Sequence, residues 1–73
     1  MDDLLSTGLA HHQAGRNAEA ARCYEALLRV EPDHAEALHL FGLLRHQAGY
    51  YQRAADLIGR AVALRGKGAA RPT

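Results

Sequence analysis

Along most of this chain apolar residues recur every three or four positions, and no run alternates strictly between apolar and polar. Between Leu4 and Gln13, Leu5, Leu9 and His12 share one helical face, with Asp2 and Asp3 in front and Ala14-Gly15 behind. That spacing predicts a first helix. Gly15 suits the left-handed residue that ends a helix, and Asn17 is expected to cap the next one with its side chain. From Ala18 to Val30, Ala20, Tyr24, Leu27 and Leu28 line one side and Glu19, Arg22, Glu25 and Arg29 the other, the mark of an amphipathic second helix. Pro32 cannot continue it. Asp33 with Glu36 three residues on resembles a capping box, opening a third helix over about Ala35 to Ala48 that contains Leu38, Phe41, Gly42 and Leu43. Gly49 marks the same turn again, and a fourth helix follows over about Tyr51 to Leu64. Val, Ile and Thr are scarce, so the expected fold is all-α.

The elements come in two copies. Shifted by 34 residues, the chain meets itself at Leu4/Leu38, Gly8/Gly42, Leu9/Leu43, His12/His46, Gln13/Gln47, Ala14/Ala48, Gly15/Gly49, Ala20/Ala54 and Ala21/Ala55. A fixed period of this size marks a stacked repeat whose units cannot bury their apolar faces alone. We place one domain at residues 1–66, with units at about 1–34 and 35–66, and a flexible tail at 67–73, where Gly and Pro replace apolar residues. Gly8 and Gly42 stand inside predicted helices, where glycine costs roughly 1 kcal/mol relative to Ala. Close approach of the partner helix, with Ala20 and Ala54 opposite, accounts for them.

The set Leu4, Gly8, Gly15, Ala20, Tyr24 and Pro32, echoed by Leu38, Gly42, Gly49, Ala54, Ile58 and Ala61, resembles the tetratricopeptide repeat family over residues 2–66. The resemblance implies two stacked helix-turn-helix hairpins, four helices in all. It also implies a concave groove, lined by the first helix of each unit, that holds a peptide or protein segment. By that analogy the groove carries Asp2, Leu5, Leu9, His12 and Gln13 from one unit and Glu36, His39, Leu43, His46 and Gln47 from the other. Leu9 and Leu43 would give apolar contact, and His12, Gln13, His46 and Gln47 would serve a peptide backbone. Thr7, His11, Arg45 and Gly66 depart from the family pattern. The Lys and Asn positions that clamp a terminal carboxylate in some members are Leu5, Leu9, His39 and Leu43, so chaperone-tail binding is not expected. A solvating last helix is absent, which leaves an apolar arc on helix four. Self-association as a homodimer is expected there, through Leu57, Ile58, Ala61 and Val62. Similar repeats precede bacterial glycosyltransferases and sulfotransferases, so a regulatory fragment of a larger enzyme is the alternative reading, and an engineered repeat protein a third.

Composition narrows the choice. A chain of 73 residues with one cysteine has a marginal core and no internal disulfide to reinforce it, so helix packing or association must do so. Cys23 reads as a small buried hydrophobe. A net charge of +1 without a basic stripe argues against nucleic acid. No membrane span or basic leader is apparent, which suggests an intracellular, cytoplasmic protein. Five histidines raise the question of a metal, but His39 and His46 sit two turns apart, about 10 Å along the axis. Neither a metal nor a cofactor is expected. Tyr50-Tyr51 at the second turn is a further candidate anchor for a partner. No nucleophile–base set, carboxylate pair or phosphate loop appears, so the chain reads as a non-catalytic interaction scaffold and not as an enzyme.

Overall fold

The computed structural model describes residues 3–69. Among these residues it is all-α: α1 (Leu4–Gln13), α2 (Asn17–Val30), α3 (Ala35–Gln47) and α4 (Tyr51–Ala69). α1 pairs with α2 and α3 with α4, and the two hairpins join chiefly through α2 against α3.

Both hairpin turns follow one design. Ala14 and Ala48 end α1 and α3 in right-handed conformation, and Gly15 (φ 83°) and Gly49 (φ 93°) then take the left-handed one. The amide of Arg16 donates to His11 O at 2.8 Å and that of Gly15 to His12 O at 3.1 Å; 34 residues on, Tyr50 donates to Arg45 O at 2.9 Å and Gly49 to His46 O at 3.0 Å. This crossed pair of bonds is the Schellman ending, which satisfies the last carbonyls of a helix and needs a residue that tolerates positive φ. The turn also explains why Asn17 is not the cap expected of it. Arg16 closes the turn and at once opens α2, its carbonyl accepting from Ala20 N at 2.9 Å, so Asn17 lies inside the helix and no side chain caps α2.

The break at Pro32 stands, but its cap differs too. His34 N donates to Glu31 O at 3.1 Å, which spends Asp33 within the turn. His34 becomes the cap, its ring Nδ1 accepting from Ala37 N at 3.1 Å. α3 therefore starts a turn earlier in the repeat frame than α1, whose cap is Asp3, accepting from Leu5 N (3.1 Å) and Ser6 N (3.4 Å). At the other end, Gly66 stands where the second unit has no proline, and nothing stops α4. It runs on to Ala69, into the segment expected as a loose tail, and residues 70–73 lie outside the described part.

The core is the seam between the hairpins. Ala20, Tyr24, Leu38, Phe41, Leu44, Leu57 and Ala61 form one buried cluster, with Leu5, Ala21, Leu28, Leu40 and Leu64 packed at its margin. Cys23 is half-buried and free. The two helix-interior glycines do hold the hairpins tight. A methyl group at Gly8 would meet the Tyr24 ring at 2.6 Å, and one at Gly42 would meet Ile58 Cγ1 at 2.5 Å and Ala54 O at 3.3 Å. Tyr24 and Ile58 are repeat equivalents, so one device closes both hairpins.

This packing corrects the expected self-association face. Leu57 and Ala61 point inward at 7% and 1% exposure, and Ile58 is half-buried against Gly42; of that set only Val62, at 61%, stands free. The physical reason is helical phase. The Gly42–Ile58 contact rotates α4 so that its larger apolar residues meet α3.

Candidate functional site

The expected groove is built from the exposed sides of α1 and α3. The two helices touch directly, though less extensively than either touches its hairpin partner. His12 on α1 and Gln47 on α3 fasten them, with Nε2 and Oε1 2.7 Å apart. With that oxygen as acceptor, Nε2 donates, and Nδ1 is buried with no partner. Two of the four polar groups assigned to peptide binding are thus already joined to each other. A third, His46, lies edge-on to Tyr51 with ring centroids 5.0 Å apart.

Around this bond, Leu5 and Leu9 are half-buried, Leu5 packing on the core margin. His39 is half-buried, whereas Gln13, Glu36, His46 and Gln47 are exposed. Leu43 is the largest apolar group open on this face, at 39% exposure. Asp2 lies outside the described residues. The face therefore offers one apolar foothold with polar groups on either side.

A second surface gathers at the turn into α4. Tyr50 and Tyr51 are 59% and 64% exposed. A shallow cavity of about 500 Å³ is lined by Gly49, Tyr50, Tyr51, Gln52, Arg53 and Asp56, and a smaller one of about 260 Å³ by Glu25, Arg45, Tyr50 and Arg53. At its floor Arg45 is held on three sides. Its guanidinium lies over the Phe41 ring (4.7 Å to the centroid) and the Tyr50 ring (5.4 Å), and donates to Glu25 Oε2 at 3.1 Å. A planar cation stacked on aromatic faces fills the place where the family resemblance expects an aromatic side chain. Sequence reasoning marked Arg45 only as a departure. Its partners come from α2, α3 and the turn, so no local spacing announces them.

Tyr24 is fully buried, and its hydroxyl has no partner. Burial, and to a lesser degree the neighbouring Cys23, pushes its pKa up, so it stays neutral. Its ring meets those of His12 (6.5 Å, edge-on) and Phe41 (6.1 Å) and ties the groove's floor to the core. No group of three or more His, Cys, Asp or Glu side chains among the described residues is placed to hold a metal ion. No helix among them is long and apolar enough to cross a membrane. Comparison with family models, curated proteins and solved structures finds no match to this chain.

Proposed function

We propose that this chain is a non-catalytic interaction module of the tetratricopeptide type, which holds an extended segment of another protein across α1 and α3. One observation carries the reading: the His12–Gln47 bond ties the last turns of the two first helices side by side, one residue out of the 34-residue register. That pairing leaves Gln13, Glu36, Leu43 and His46 facing outward along one strip. An extended peptide offers backbone donors and acceptors at regular spacing, and such a strip can serve them while Leu43 takes one side chain. Supporting the family reading are the period of 34, the twice-used Schellman turn and the paired Gly8/Tyr24 and Gly42/Ile58 contacts.

The test is selection of randomised dodecapeptides on the protein, followed by titration of the enriched peptides against wild type and Leu43→Glu. We expect enriched sequences with one apolar anchor and a loss of at least tenfold in affinity on Leu43→Glu, because a charge would then face the anchor. Peptides that bind both proteins equally, or no enrichment, would refute the groove.

A further inference from the structure

The α2–α3 junction is the most extensive contact between hairpins among the described residues, and the 34-residue symmetry shows what its two ends do with the same surfaces. On α2 the junction covers Ala21, Tyr24 and Leu28, and Glu25 adds its ion pair to Arg45 at 3.1 Å. The equivalents on α4 are Ala55, Ile58, Val62 and Gly59. Ala55 and Val62 are exposed, and Gly59 has nothing within 4 Å of its would-be side chain. Arg29, exposed on α2, becomes exposed Ala63 on α4.

What α3 presents to that junction has equivalents on α1 as well. Ala37, Leu40, Phe41, Leu44 and Arg45 become Asp3, Ser6, Thr7, Ala10 and His11. Asp3, Ser6, Thr7 and Ala10 are all exposed. The α1 end therefore has the polar face of a terminal repeat, and head-to-tail stacking of α1 on the α4 of another copy lacks both apolar knobs and ion pair. A further helix of the α3 kind would fit α4 poorly too, since Gly59 cannot replace Glu25. Losing Glu and Arg at 59 and 63 also widens the apolar strip beyond what the α2–α3 junction uses.

From this we infer that the outer face of α4 pairs with the same face of a second copy, antiparallel and about a two-fold axis near Gly59. At about 100° per residue, Ala55 and Val62 fall on one flank of Gly59, and Asp56 and Arg60 on the other. Antiparallel pairing sets like flanks together. Val62 then meets the partner's Ala55, and Asp56 meets the partner's Arg60, a cation now reaching only Pro32 O at 3.3 Å. Parallel pairing would set Asp56 against the partner's apolar flank. An isologous contact also closes on itself and leaves no growing end.

The face lies on α4 and the peptide strip on α1 and α3, so either can fail alone. The experiment is molar mass by light scattering and sedimentation of the full chain from about 5 µM to about 1 mM. Wild type should pass from 7.9 kDa to twice that mass. Gly59→Arg should weaken association at least tenfold while circular dichroism shows equal or greater helicity, since Arg is the better helix former. Asp56→Arg should weaken it, and Asp56→Arg with Arg60→Asp should restore it; Leu43→Glu should leave it unchanged. A wild type that stays monomeric throughout, or a dimer indifferent to Gly59→Arg, overturns the inference.

Discussion

The two hairpins share a backbone plan but divide the burial unequally. Position 24 of the first holds Tyr24, sealed beneath both hairpins, whereas position 58 of the second holds Ile58, half-buried at the margin. Each closes on a glycine one helix away. The difference follows from place in the stack. α2 is covered on two sides, by α1 and by α3, while α4 is covered by α3 alone. In a quasi-one-dimensional stack each unit gains stability only from its neighbours, so the inner helix of the pair carries the larger share.

The largest expected effect tests that division directly. Tyr24→Ala removes a fully buried aromatic ring and should cost about 3–5 kcal/mol, enough to unfold a domain of this size at modest denaturant. Ile58→Ala should cost about 1–2 kcal/mol because part of its surface is already wet. Urea denaturation followed by circular dichroism measures both. Equal losses would mean that the stack does not concentrate stability at its centre. Tyr24→Phe sharpens the point: its hydroxyl is buried without a partner, so deleting it should be neutral or stabilising by up to about 1 kcal/mol.

Next in size are the glycines. Gly8→Ala drives a methyl group into a ring locked between helices, and Gly42→Ala drives one into Ile58, which is only half-buried, and to 3.3 Å from Ala54 O. Overpacking should exceed the gain in helix propensity in the first case, with a net loss of about 2 kcal/mol. In the second the net loss should be about 1 kcal/mol or less, as the propensity gain of about 1 kcal/mol cancels most of it. Thermal melts of the two variants side by side decide this, and a greater loss at Gly42 would reverse the ranking of the hairpins.

The all-α fold, the Pro32 break and the glycine turns were legible because each is local: period, missing amide and left-handed φ act within a few residues. The caps were less so. Asn17 and Asp33 have the right side chains, but the Schellman turn and the turn at Glu31 placed Arg16 and His34 at the boundaries instead. The inward turn of Leu57 and Ala61 depends on the Gly42–Ile58 contact across two helices, which helical periodicity alone does not reveal. Self-similarity contained part of the answer, since Ala61 is the equivalent of buried Leu27. For the groove, Leu43 could be read from spacing as an open apolar position. The His12–Gln47 bond could not, because it joins residues 35 apart on different helices.

The smallest expected effect concerns how the hairpins begin. α3 opens on a histidine ring and α1 on a carboxylate. Asp3 accepts from the amides of Leu5 and Ser6 and from the Ser6 hydroxyl at 2.8 Å. The Ser6 hydroxyl foremost holds its pKa below the ordinary value of 3.8. A carboxyl whose folded pKa is depressed contributes stability that is fully present above its unfolded value and is lost as pH falls through the folded one. Asp3→Ala should therefore melt below wild type at neutral pH, and the gap should close in acid below the ordinary aspartate range. The group is fully exposed, so the gap should also shrink with added salt. Melting curves of the two proteins across that range check the sign: a gap that persists unchanged in strong acid would show that Asp3 caps α1 by shape alone, and that the charge at the start of the first hairpin contributes nothing the second lacks.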